Sequence, residues 1–245
     1  MHKVEIPDYI IRRVKAQRGQ LHVFEKLDAR STALLVVDLQ NAFMLPKAAW
    51  EIPYARELVP NVNNLAGAAR AAGAKVIWLQ MTLENEGERW NVYFDYMRRA
   101  KNKAEDIKAL SRGNPGHALY ADLDVQPTDV IVEKTRFSAF IQGSSNLDPI
   151  LRELGIDTLI VVGTVTNGCC ESTARDAMML NYKIIFVSDG NAARSDEEHN
   201  AALSNILRNF GDVVSTDEAV ARLEHASSDS RDHAKSWLRP TSPLG

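Results

Sequence analysis

The chain has 245 residues and a mass of 27.2 kDa, which is room for one domain or two small ones and for a substantial core. Hydrophobic residues make up 45% and charged residues 25%, a balance that excludes a disordered, collagen-like or coiled-coil chain. A formal net charge of −3 and a pI near 6.1 leave no basic field for nucleic acid or an anionic membrane, and neither is expected as a partner.

Residues 1–30 carry a short amphipathic pattern and then charge. They are expected to form an amino-terminal arm or helix outside the main fold. They lack the apolar stretch of a secretory signal. From Ala33 the chain runs Ala33-Leu34-Leu35-Val36-Val37-Asp38, an apolar run ending in an acid, as expected of a strand covered on both faces of a parallel sheet. Val59, Val62, Leu65, Ala66 and Ala69 follow at helical spacing, with Gly73 as a stop. Lys75–Gln80 reads as the second strand.

Residues 82–128 then break the pattern. A connection this long seldom lacks a job in a compact domain, and it is expected to supply a lid. Trp90, Tyr93, Phe94 and Tyr96 cluster in it. The spacing of Trp90, Tyr93, Phe94 and Met97 fits ordinary helix packing equally well. The third strand is Asp129–Glu133. Leu147, Ile150, Leu151 and Leu154 give a helix stopped by Gly155. Thr158–Gly163 and Lys183–Asp189 are further strands, and Asp212–Ser215 is a weaker sixth. Ala202, Leu203, Ile206, Leu207 and Phe210 mark a helix with Asp196 as its expected N-cap. Strands alternating with helices predict βαβ units and one domain over residues 31–225. Residues 226–245 are polar, contain two prolines and are expected to be a loosely held tail.

Ligands of open α/β sheets bind beyond the carboxyl ends of the strands. Asp38 ends the first strand, Lys134 follows the third, and Cys169 lies just after the fourth. Thr166 or Asn167 can cap a helix there, with Cys169 in its first turn. There the thiolate would meet the positive end of the helix dipole, and a nearby lysine would lower its pKa further. Nucleophile, base and cation are the parts needed for covalent acyl transfer. Each residue also has a plainer reading. Asp38 fits a cap, Lys134 a solvated strand end, and a buried cysteine a small hydrophobe, which is the reading preferred for Cys170.

Three segments, Leu34–Phe43, Lys134–Phe140 and Gly163–Asp176, resemble in order the three motifs of the isochorismatase-like cysteine hydrolases. The resemblance runs from about residue 31 to about residue 220. It implies a three-layer α/β/α fold with a six-stranded, mainly parallel, Rossmann-type sheet in the order 3-2-1-4-5-6. It implies a triad of Asp38, Lys134 and Cys169, and selects Cys169 over Cys170 because Glu171-Ser172-Thr173-Ala174 follows one variable position later. It further implies a cis peptide at Thr164–Val165 and an oxyanion hole from the N–H groups of Val165 and Cys169. Gly168 departs from the apolar residue usual there.

Within that family, Cys169 argues against isochorismatases proper, which lack the cysteine. Nicotinamidases carry an Asp-x-His metal motif where this chain reads Gln80-Met81-Thr82. The histidines His2, His22, His117, His199, His225 and His233 are scattered elsewhere, so no metal and no cofactor is expected. The motif pattern looks closest to ureidoacrylate and N-carbamoyl amidohydrolases. The activity so implied is hydrolysis of a small amide, ureide or carbamoyl C–N bond through a thioester acyl-enzyme. Phe43, Trp90 and Phe137 are the expected pocket walls, and Gln80 the expected polar contact to substrate. A cytoplasmic homo-oligomer, dimer or tetramer, is expected. A non-catalytic scaffold and a thiol redox protein using Cys169 and Cys170 are the readings from other classes. Adjacent cysteines pair only with strain, which weakens the second.

Overall fold

The computed structural model describes residues 1–85, 89–98 and 102–236. Its centre is one six-stranded, all-parallel sheet in the order β3-β2-β1-β4-β5-β6. The strands are β1 (Thr32–Val37), β2 (Lys75–Met81), β3 (Val130–Lys134), β4 (Thr158–Thr164), β5 (Lys183–Ala192) and β6 (Asp212–Val214). Every residue of β1 and β4 is buried, which is why both read as unbroken apolar runs. β3 lies at the sheet edge and alternates, with Ile131 exposed.

The helices are α1 (Asp8–Arg18), α2 (Asn41–Met44), α3 (Val59–Ala72), α4 (Lys103–Ala109), α5 (Leu147–Glu153), α6 (Glu171–Met179), α7 (Asp196–Asn209) and α8 (Thr216–Ser236). α3 packs on β1, β2 and α8, while α6 and α7 pack on β5 and on each other. Gly73 ends α3 in the left-handed conformation at φ +87°, as its position predicts. α7 is capped by Ser195, whose hydroxyl accepts the Glu198 N–H. Asp196 is the first helical residue instead, where its charge favours the positive helix end.

The amino-terminal segment does not lie outside the fold. Ile10 and Val14 are buried in the main core, and α1 packs on α7. Arg18 donates to the Leu207 and Gly211 carbonyls at 2.6 and 3.2 Å. The buried Asp212 carboxylate accepts the N–H groups of Val23 and Phe24. Dispersed polar anchors of this kind carry no periodic signal in sequence. At the other end, α8 runs across residue 226 because Ala219, Leu223 and Ala226 continue one buried stripe. Residues 237–245 of the expected tail lie outside the described residues.

The described residues of the long connection pack against the rest of the fold. Leu83 donates its N–H to Leu110, Phe94 is fully buried, and Trp50 donates its indole N–H to the Asp106 carbonyl. Gln40 fastens the connection to the sheet, donating to the carbonyls of Met81 and His117 and accepting the Met81 N–H.

Candidate active site

β1 and β4 are neighbours at the point where the strand order reverses, so their carboxyl ends open a crevice between divergent connections. Gly163 makes the pairing close. Its φ is +122°, and a Cβ there would stand 2.1 Å from the Val37 carbonyl oxygen. Asp38 follows at φ +52°, a conformation costly for a residue with a side chain and concentrated at functional sites. Its N–H donates to Leu79 and its carbonyl accepts the Thr164 hydroxyl.

That backbone aims the Asp38 carboxylate into the protein, where it is wholly buried with Oδ2 2.7 Å from Lys134 Nζ. Lys134 is the last residue of β3 and spans β2 to arrive there, donating also to the Arg136 carbonyl. Cys169 stands on a π-helical turn, Thr166–Cys170, between the cis peptide Thr164–Val165 and α6. It therefore precedes the regular helix rather than sitting in its first turn. Neither Thr166 nor Asn167 caps: the Gly168 and Cys170 N–H groups go to the Val165 carbonyl, and the Thr166 hydroxyl pairs with His199. The Cys169 thiol lies within interaction range of both Asp38 and Lys134.

Burial pushes the Asp38 pKa up against the opposing pull of the Lys134 charge. Burial works against the Lys134 ammonium, but the Asp38 carboxylate and Cys169 override it and hold its pKa above the ordinary value. Cys169 is pushed far up, first by burial and then by the Asp38 charge, with Lys134 pulling the other way. The expected lysine-lowered thiol is thus reversed, because burial and the Asp38 charge together outweigh the pull of Lys134. The 2.7 Å contact makes Asp38 and Lys134 a buried ion pair.

A cavity of about 300 Å³ opens over Cys169. Phe43, Trp90 and Phe137 line it, as do Trp50 and Tyr93. Trp90 stacks on Tyr93 at 4.5 Å and meets Phe137 edge-on at 4.9 Å. Phe94 points into the core, and Tyr96 and Met97 are exposed, so the aromatic cluster of the connection is divided among wall, core and solvent. Gln80 is not part of the lining; its amide donates to the His117 carbonyl at 3.0 Å. Arg98, Arg194 and Glu198 supply the charged part of the lining. Arg98 pairs with the buried Asp106 and lies 3.8 Å over the Trp50 ring. Trp50, Arg98 and Arg194 were not expected from sequence. Arg194 had a usable signal, since it follows the end of β5. Among the described residues, no three of His, Cys, Asp and Glu converge as a metal cluster.

The isochorismatase-domain profile matches residues 32–218. Ureidoacrylate amidohydrolase RutB of Agrobacterium fabrum is 30% identical over 215 residues, covering 82% of this chain and 93% of that protein. Its counterpart in Serratia proteamaculans is 33% identical over 227 residues, covering 83% and 91%. The crystal structure of a cysteine hydrolase from Pseudomonas syringae pv. phaseolicola superposes with a TM-score of 0.74 at 32% identity, over 84% of this chain and 98% of that one. The N-carbamoylsarcosine amidase of Thermoplasma acidophilum gives 0.60 at 27% identity, over 76% and 97%.

Proposed function

This chain belongs to the isochorismatase family, and from that premise we propose that it hydrolyses a small amide, ureide or carbamoyl compound with Cys169 as nucleophile, Asp38 as base and Lys134 as their cationic partner. It is a hydrolase acting on non-peptide C–N bonds. The observation that carries the residue assignment is the buried Asp38–Lys134 pair at 2.7 Å beside the Cys169 thiol, at the floor of a cavity.

Asp38 removes the thiol proton as sulfur attacks the substrate carbonyl carbon. Burial holds the thiol's pKa above its ordinary value, so the attack depends on proton removal by Asp38. The negative charge that develops on the carbonyl oxygen is taken by the N–H groups of Val165 and Cys169. Asp38 returns the proton to the departing ammonia or amine, leaving a thioester. It then takes a proton from the water that attacks the thioester and gives it to the departing Cys169 sulfur, which releases the acid and restores the thiol and the carboxylate. Lys134 stays protonated throughout and keeps Asp38 able to act as a base.

Phe43, Trp90 and Phe137, with Trp50 and Tyr93, hold a flat, small substrate and exclude bulk water. The cavity is at the low end of the range for small-molecule sites. No described helix is long and apolar enough to cross a membrane. A cytoplasmic homo-oligomer completes this reading, and size-exclusion chromatography tests the assembly.

The test is ammonia release across a panel of primary amides, ureides and N-carbamoyl amino acids. Cys169→Ala is expected to abolish turnover and Cys170→Ser to keep most of it. Turnover surviving in Cys169→Ala removes the nucleophile assignment. A scaffold or redox reading gains ground only if no panel member is cleaved.

A further inference from the structure

Behind the turn that carries Cys169, the structure buries two imidazoles that the chemistry above does not use. His2 lies against His199 of α7 on one side and Tyr54 on the other, with ring centroids 4.4 and 4.2 Å away. The two imidazole planes are within 15° of parallel. Both nitrogens of His2 are committed. Nε2 accepts the Ala193 backbone N–H at 3.0 Å, so in the neutral ring the proton sits on Nδ1 and is donated to Asp196 Oδ1 at 2.8 Å. Asn200 clamps the same segment from α7, accepting the Glu5 N–H and donating to the Lys3 carbonyl.

His199 is wholly buried, and its Nδ1 lies 2.9 Å from the Thr166 hydroxyl. Burial and the neighbouring His2 push its pKa down to about 4, so it stays neutral near pH 7. Thr166 begins the π-helical turn that ends at Cys170 and follows Val165 directly. A π turn lacks the regular ladder that fixes a helix, so its placement depends on side-chain anchors. A second path reaches the same place. Ala193 follows Ala192, whose strand partner is Thr164.

We propose that His199 and, behind it, His2 are positioning residues for catalysis: the stacked pair holds the Thr166 hydroxyl and thereby sets the Cys169 turn against Asp38. The inference rests on Cys169 being the nucleophile. Two buried imidazoles are a costly filling for a layer that leucine would pack, whereas a directed hydrogen bond specifies where the turn stands. His2 stacks on one face of the His199 ring, which bonds Thr166. Residue 2 lies in the amino-terminal segment, outside residues 32–218 matched by the family profile.

The experiment measures kcat and KM, with the panel member that the unaltered full chain cleaves fastest, alongside thermal midpoints. Thr166→Val and His199→Leu are expected to lower kcat tenfold or more, with KM changed less than threefold. Thr166→Ser and His199→Asn each keep a polar atom in place and are expected to recover most of kcat. His2→Ala is expected to lower kcat in the same direction, by several-fold. Thr166→Val is nearly isosteric and carries the test alone if His199→Leu does not fold. The proposal falls if Thr166→Val keeps kcat within twofold, or if the Leu and Asn changes at His199 lose kcat alike. Activity surviving in Cys169→Ala instead overturns the nucleophile assignment and leaves the two failures distinct.

Discussion

Asp38 stands between a cation and a thiol, and its proton governs what both neighbours can do. Burial raises its pKa and Lys134 lowers it. Lys134→Met removes the lowering influence, so Asp38 takes up its proton at higher pH. A base must be unprotonated to act, so the acid limb of kcat/KM is expected to move to higher pH, with reduced activity above it. An unmoved limb would leave Lys134 a purely steric role. Asp38→Asn works in the opposite sense on sulfur. The Asp38 charge raises the Cys169 pKa and Lys134 opposes it, so removing the charge lowers the thiol's alkylation midpoint, read in a Cys170→Ser background. The same change costs several orders of magnitude in turnover, because the thiolate it favours has lost the group that returns the proton to the leaving amine. A thiol that becomes easier to alkylate while catalysis collapses is the signature expected of a base; a thiol that becomes harder to alkylate as catalysis is lost would point to a misfolded site.

Elements place these residues through backbone that tolerates little change. At Gly163 the positive φ and the 2.1 Å approach to Val37 act together. Gly163→Ala is expected to cost about 3 kcal/mol or more in urea unfolding and to abolish turnover by displacing β4 from β1. A loss below about 1 kcal/mol would mean that the strands yield more easily than this packing implies. The strands themselves were legible. The runs Ala33–Val37 and Thr158–Gly163 are apolar because both faces are covered, and Asp38, Lys134 and Cys169 stand at or just past strand ends. Register and the reach of Lys134 across β2 arise from contacts between distant residues, and motif resemblance, not periodicity, supplied the strand order. The cavity was half legible. Phe43 and Phe137 lie close to motif residues, whereas Trp50 and Arg98 meet only because their two loops pack together. His2 is a single histidine in a charged stretch, and nothing local marks it as a buried stacking partner.

At the scale of the whole molecule, Asp212 gathers the two ends of the fold. It accepts N–H groups from Val23 and Phe24 and lies 3.6 and 3.5 Å from the guanidinium nitrogens of Arg18 and Arg222. Asp212→Ala leaves two backbone donors and two cations short of a partner, and is expected to destabilise by about 3 kcal/mol. The amino-terminal segment should become the earliest site of limited proteolysis in that variant, and unchanged cleavage there would show that α1 is held by its apolar face alone. The long connection between β2 and β3 has a different consequence. Asp38 lies before it, Lys134 and Cys169 after it, and β1 is seated between β2 and β4. Cutting the chain between Arg112 and Gly113, both exposed, divides the reacting groups between two polypeptides that each carry unpaired strand edges. Neither piece can be active by itself, and each offers the other the edges it lacks. Such a pair is a natural reporter of proximity: fused to two proteins that meet, the halves regain hydrolysis when their sheet closes, and ammonia becomes the readout of the encounter.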